Sequence, residues 1–326
     1  MKLSVIAAAG LWLVLTACSR STQPGAPGET AIRFATDWRA EAEHGGYYEA
    51  LANGEYARRG LKVRIISGGP GVNVPQLVAS GAVEMGIGSN SFIVMNLAGA
   101  AAPVRAVAAF MQKDPQVLIA HPDSGIRSLA DLKGHPILLS DASITAFWVW
   151  LKAKYGLSDD QVRKYNFNNA PFLADKRIVQ EGYLTSEPYT IEKQAHMKPT
   201  VFLLADEGYP GYAGLVLAGD SLIKARPAAV RAFVEATAAG WKAYLHGDPA
   251  PGDALILKDN PEMTPDILAQ ARDKLRTYGI VDRGDGAMTD ARWSAFFKVA
   301  AEQGVYPKTL DYRRAYTLAF LTPSAK

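Results

Sequence analysis

Two hydrophobic patterns alternate along the chain. Short apolar runs bounded by Gly, Pro or small polar residues read as strands: IRFA (32–35), LKVRIIS (61–67), AVEMGIGS (82–89) and VRAVAAFM (104–111). Between them lie stretches with apolar residues at helical spacing and a Gly stop: GGYYEALANGEYARRG (45–60), NVPQLVASG (73–81) and SFIVMNLAGA (91–100). QVLIAHP (116–122) and HPILLSD (135–141) continue the strands, and SITAFWVWLKAKYGL (143–157) predicts one strong helix. GYAGLVLAGDSL (211–222) is a further strand, and after Pro227 three long helical patterns close the chain. This β-α-β-α rhythm predicts an α/β protein with parallel sheets covered by helices.

Four predicted strands run directly into polar or aromatic loops: Asp37-Trp38, Ser67 to Gly71, Ser89-Asn90 and Ser140-Asp141. In open α/β sheets ligands sit beyond the carboxyl ends of strands, so these loops are expected to converge on a cleft between two lobes. The first is the densest in chemistry. TDWRAEAEHGGYYEA (36–50) gathers Asp37, Trp38, His44, Tyr47 and Tyr48, more than a fold alone requires. An indole suits stacking on a heteroaromatic ring, and a carboxylate suits a ring amine. GGPG (68–71) lacks the Gly-Lys-Ser/Thr ending of a phosphate loop and reads as a turn rather than an anion cradle. Phe147, Trp148 and Trp150 read as packing, and Tyr209 and Tyr212 of YPGY as a hinge or a pocket wall.

Charge narrows the classes. The 35 Lys and Arg against 32 Asp and Glu in 326 residues leave no polybasic segment, so nucleic acid is not an expected partner. The five histidines are scattered without metal-ligand spacing, and no Gly-x-Ser-x-Gly elbow is present, so neither metal, cofactor nor catalysis is predicted. MKLSVIAAAGLWLVLTAC (1–18) has the form of an export signal over 1–17, and Leu15-Thr16-Ala17-Cys18 resembles a lipoprotein box, predicting lipid on Cys18. Residues 18–29 read as a flexible tether, and Cys18 as sole cysteine leaves no internal disulfide.

The motif DW (37–38), His44-x-Gly46-x-Tyr48-x-Ala50, Gly54, Tyr56, GL (60–61) and SGAVEMGIG (80–88) resembles the SsuA/THI5-like, or NMT1-like, solute-binding proteins of bacterial ABC transporters. SLADLKGHPI (128–137) and EGYLTSEP (181–188) extend the likeness over the mature chain, and the N-terminal motif is similar to the branch that binds thiamine pyrimidine precursors, with a departure at Arg39-Ala40-Glu41. The resemblance implies a type II-like periplasmic-binding fold, two lobes hinged about a ligand cleft, with lobe 1 over 30–117 and 211–326 and lobe 2 over 118–210. It implies an exported, lipid-anchored monomer serving an ABC permease, with a ligand held by Asp37, Trp38, His44, Tyr48, Ser89, Asn90, Ser140, Tyr183, Glu187 and Tyr189. Sulfonates including taurine, flavin-like rings and nitrate are the alternative ligands, with Glu41 and Glu43 disfavouring an anion. A related pyrimidine synthase carries a Cys-rich motif that one cysteine cannot supply. Its lysine and histidine fall here on Gly88 and Phe92.

Overall fold

The computed structural model describes residues 29–321; the export signal, Cys18 and all of the tether but its last residue lie outside the described residues. Ten strands form two five-stranded sheets. In chain order β1 is Thr30–Ala35, β2 Leu61–Ile66, β3 Met85–Asn90, β4 Val104–Met111, β5 Gln116–Ala120, β6 Ile137–Leu139, β7 Val162–Lys164, β8 Val179–Tyr183, β9 Thr200–Leu203 and β10 Ala213–Gly219. The first sheet has the order β2-β1-β3-β10-β4 and the second β7-β6-β8-β5-β9. Twelve α-helices are described: α1 Gly45–Ala52, α2 Val74–Ala79, α3 Ser91–Gly99, α4 Asp141–Ile144, α5 Phe147–Tyr155, α6 Ala170–Ala174, α7 Glu187–Ala195, α8 Asp220–Ala225, α9 Pro227–His246, α10 Ala250–Asp259, α11 Pro265–Thr277 and α12 Asp290–Glu302.

The sheets are mixed rather than parallel. β10 runs antiparallel to β3 and β4, and β5 runs antiparallel to β8 and β9. The reason lies in the connectivity. β5 and β10 are the strands the chain enters immediately after passing between the sheets, so each starts at the cleft where β1, β3 and β8 end. β5 belongs wholly to the second sheet, which puts the first crossing at residues 112–115, earlier than the boundary drawn from the sequence. The return crossing spans residues 204–212.

Two other expectations change. The helix predicted over 143–157 is broken: α4 ends at Ile144, and Ala146 takes a non-helical conformation (φ −119, ψ −110) before α5 begins. The helix predicted over 45–60 stops at Ala52 and continues as a turn and one 3-10 turn at Ala57–Arg59. The short strands β7 and β9 were not legible, since three or four residues carry no measurable period.

Each lobe is held by its own aromatic packing. In lobe 1, Phe34 of β1 meets Tyr47 of α1 at 4.6 Å and Phe233 of α9 at 5.0 Å, all fully buried. In lobe 2, Trp148 and Leu151 of α5 are buried with Leu118, Ile137 and Leu139. The α1–α9 contact depends on glycine: a Cβ on Gly240 would lie 2.1 Å from the Gly46 carbonyl oxygen and 2.7 Å from the Ala50 Cβ. Because α1 carries part of the cleft loop's anchorage, this close approach helps fix the site. Gly240→Ala is therefore expected to destabilise by about 1–3 kcal/mol through overpacking, despite the ~1 kcal/mol that alanine gains in helix propensity. An unchanged urea midpoint would contradict the close packing.

Candidate functional site

All the loops that follow β1, β2, β3, β6, β7 and β8 open toward the space between the sheets, because the crossings leave and enter at that same end. The loop after β1 is pinned from below. Thr36 Oγ1 donates to the Trp38 carbonyl (2.7 Å) and accepts from Gly68 N–H (3.0 Å), while Gly68 N–H also reaches the Trp38 carbonyl (3.1 Å). A Cβ on Gly68 would lie 2.2 Å from the Thr36 carbonyl oxygen. The GGPG turn is thus a support for the Asp37-Trp38 loop. Asn260 holds the far end, donating to the Ala40 carbonyl at 2.9 Å.

A 3-10 turn, Ala42–His44, then points side chains of opposite character inward. His44 and Glu43 are both buried. His44 Nε2 lies 3.2 Å from Asp37 Oδ1, and its Nδ1 has no partner. Glu43 Oε1 accepts the Thr185 hydroxyl from the other lobe. Glu187, at the first turn of α7, accepts Tyr183 N–H at 2.8 Å. Lys274 of α11 donates to the Leu184 carbonyl at 2.9 Å, and Gln270 to that of Thr185.

The electrostatics of this box are unusual. Burial raises the Glu41 carboxyl well above its ordinary range, reinforced by repulsion from Glu43, Asp37 and Glu187. Burial raises Glu43 too, opposed by the Thr185 hydrogen bond. Glu187 is pushed up to about 7 by burial, against two backbone N–H groups, with Glu181 and Glu43 adding repulsion. Asp114, on the first crossing, is also raised to about 7 by burial. The Tyr183 phenol is raised well above its usual value by burial and by the charges of Asp114, Asp37, Glu41 and Glu43. Lys274 is lowered by burial.

Above the carboxylates the two lobes meet through aromatic faces. The half-buried Trp38 ring lies 4.6 Å from that of Phe167, tilted by 49°. Phe167 follows β7, is 46% exposed and has a left-handed backbone (φ 56), a conformation that costs a non-glycine residue on the order of 1–3 kcal/mol. Tyr165 backs Phe167 at 5.2 Å and accepts from Gln180 Nε2 at 3.2 Å.

Of the residues singled out from the sequence, Asp37, Trp38, His44, Tyr183 and Glu187 are brought together here. Four others have different surroundings. Tyr48 is buried in lobe 1, its hydroxyl donating to Asp259 of α10 at 3.0 Å. Asn90 spends its Oδ1 capping α3, accepting from Phe92 and Ile93 N–H. Ser140 caps α4 and donates to Ser143 at 3.0 Å, near the buried Glu181. Tyr189 turns to the outer rim and donates to Asp266 of α11 at 2.6 Å, because two positions along a helix from Glu187 lie some 200° around its axis. Ser89 is half-buried at the end of β3 beside Asn90. Sequence reading missed Phe167, Tyr165, Glu181 and Asp114 as site residues. The aromatic and Asn-rich stretch YNFNN was the available signal.

Tyr209 and Tyr212 are packing residues at the return crossing: Tyr209 lies over Phe92 at 5.9 Å and against Trp150, and Tyr212 lies beneath Arg292 at 3.9 Å. Gly88 is tight against Leu217, and Phe92 is buried against Phe296, so neither position offers a reactive group. Two surface depressions of about 290 and 370 Å³ lie elsewhere, beside α8 and along α7, with no convergent chemistry. Among the described residues no set of three or more His, Cys, Asp or Glu is arranged to hold a metal ion, and no helix is long and apolar enough to cross a membrane.

Two sheets joined by two crossings, with functional loops facing the gap, define a two-lobe binding fold. The chain belongs to the NMT1/THI5-like family, whose sequence profile matches residues 41–250. No curated protein sequence matches it significantly. Among solved structures it is similar to the alkanesulfonate-binding protein SsuA from Xanthomonas axonopodis pv. citri bound to MOPS (TM-score 0.67, 16% identity, 90% of this chain and 99% of that one). It is also similar to the periplasmic aliphatic sulphonate binding protein SsuA from Escherichia coli (TM-score 0.65, 15% identity, 88% and 92%). The desulfurization enzyme DSZB shares the fold (TM-score 0.59, 13% identity, 90% and 97%). At these identities the likeness establishes the periplasmic-binding-protein fold, which hosts both binders and an enzyme.

The raised carboxyls set a pH dependence. Glu187 and Asp114 hold protons in the folded chain that the unfolded chain releases above its ordinary carboxyl pKa. Their contribution to stability is fully present below about pH 4 and is lost as pH rises through about 7. Glu187→Gln should flatten this decline, leaving the variant about 1–3 kcal/mol better off relative to wild type at pH ~8 than at pH ~4. Urea unfolding at the two pH values measures it, and an unaltered slope would show that the Glu187 carboxyl is not in this environment.

Proposed function

We propose that this protein is the extracytoplasmic solute-binding component of an ABC importer. It acts as a monomer that captures a small heteroaromatic solute between its lobes and presents it to a membrane permease, with Cys18 as the lipid anchor. The observation that carries the reading is the Trp38 ring facing Phe167 across the lobe interface, on the loop that also supplies Asp37 and the interlobe Glu43–Thr185 hydrogen bond. A flat apolar face beside a few placed polar groups is what a small-molecule site requires. Family membership and fold support the binding role. An aminopyrimidine of the thiamine-precursor kind is the first candidate, since a ring with exocyclic amines matches both the indole and the carboxyls.

A sulfonate is the second reading, favoured by what the two SsuA proteins are named for binding. The acidic character of the cleft opposes it. An enzymatic role gains no support at Gly88 and Phe92, where the related synthase would need its lysine and histidine.

A thermal-shift screen against aminopyrimidines, thiamine, riboflavin, taurine, alkanesulfonates and nitrate tests the proposal, because a ligand that binds only the folded state raises the melting temperature. Aminopyrimidines are expected to give the shift. Trp38→Ala should weaken that binding by about 10- to 100-fold, each decade being about 1.4 kcal/mol, with the unfolding transition retained. Full affinity in the variant would assign Trp38 to packing alone, and a shift with sulfonates only would replace the aminopyrimidine reading.

A further inference from the structure

The cleft gathers negative groups from both lobes. Asp37, Glu41 and Glu43 come from the loop after β1, Asp114 from the first crossing, and Glu181 and Glu187 from β8 and the start of α7. Against them stand four groups that can be cationic, each already engaged: Lys113, beside Asp114, pairs with Asp206, and Arg292 donates to the Gln112 and Gly211 carbonyls. Lys274 is committed to the Leu184 carbonyl, and His44 to Asp37. Arg39, nearest in sequence, is drawn outward to Glu262.

Polar atoms within this box also lack partners. Glu181 is 4% exposed, lies two residues before Tyr183 on the same face of β8, and is close enough to Glu187 for their charges to repel; its Oε2 has no hydrogen bond. His44, 3% exposed, leaves Nδ1 unpaired. Burying several carboxyls together, one of them with an oxygen left unpaired, is costly unless something supplies positive charge and N–H donors. The described residues are not arranged for a metal ion. The aromatic faces of Trp38, Phe167 and Tyr165 suit an organic ion with delocalised charge better than a compact one.

We infer that the ligand is a planar organic cation of the amidinium or protonated aminoheterocycle type, whose N–H groups donate to Glu43, Glu187 and their acidic neighbours while its ring lies on Trp38. This rests on the solute-binding reading above and names the charge class of that same site. Its consequence is a trade between stability and function. Carboxyls crowded into one buried box either repel one another or hold protons, and a cation among them favours their charged forms and relieves the crowding. Neutralising one carboxyl without changing its shape should therefore steady the free protein and weaken its grip on the ligand.

Three probes of nearly one shape and different charge make the test: benzamidine as the cation, benzamide as the neutral amide and benzoate as the anion, each titrated calorimetrically near neutral pH into the mature chain. Benzamidine is expected to bind at least tenfold more tightly than benzamide, and benzoate to bind more weakly still. Glu43→Gln and Glu187→Gln should each weaken benzamidine at least tenfold while raising the melting temperature of the free protein. Benzamide or benzoate binding as tightly as benzamidine would overturn the inference and leave the solute-binding reading in place, as would variants of unchanged affinity. Lost binding with a lowered melting temperature in both variants would assign the carboxyls a structural role and overturn it as well. If none of the three binds while a compound from the screening panel does, the charge class is wrong and the binding role stands. If nothing in either set binds, both fall.

Discussion

Two peptide crossings govern the rest of this molecule. Because the chain passes between the sheets at residues 112–115 and 204–212, the strands that precede a crossing end at the gap and those that follow begin there. That single constraint makes β5 and β10 antiparallel to their neighbours and turns six loops toward a common space. It also explains why carboxyls distant in sequence, such as Glu43 and Glu187, come to influence each other at all. A one-sheet protein with the same loops would spread them along an edge open to water, where their repulsion would be screened.

What could be read from the sequence follows the range of the interaction. Asp37, Trp38 and His44 were legible because a strand end, a turn and a helix start put them within eight residues, and the pairing of His44 with Asp37 is local. Glu187 was legible through the EGYLTSEP likeness, and its inward direction is set by its place at the start of α7. Tyr48 misled because α1 packs against both α9 and α10, so that neighbouring phenols on opposite flanks are both buried. Asn90 and Ser140 are polar residues at strand ends, and helix capping claimed their oxygens before any ligand could. Phe167 was passed over despite the YNFNN signal, because its strand is three residues long and its partner Trp38 lies in the other lobe.

The likeness to both sulfonate binders and a desulfurization enzyme shows how little the backbone alone determines. In this chain the chemistry is set by side chains on the loops that face the gap. Gly88 is fitted against Leu217 and Phe92 is sealed in apolar packing, while acidity accumulates on the loop after the neighbouring strand β1. Chemistry here resides in a few loop residues, and the sheets serve to aim them.

Arg292 of α12 reaches both crossings, donating to the Gln112 carbonyl and, at 3.0 Å, to that of Gly211. One planar guanidinium thus ties the two connections together, and a rotation between the lobes would take it as its pin. In the first sheet β1 stands three places from β4, and in the second β7 stands three places from β5. Trp38 and Phe167 therefore sit at the tips of two matched lever arms, each about 14 Å long at roughly 4.8 Å per strand. Every degree of rotation at the pin separates those rings by about a quarter of an ångström at that radius. Asp114, close to the axis, scarcely moves. The aromatic contact is the part of the molecule that feels a small swing first, and the buried acid beside the pin feels it last.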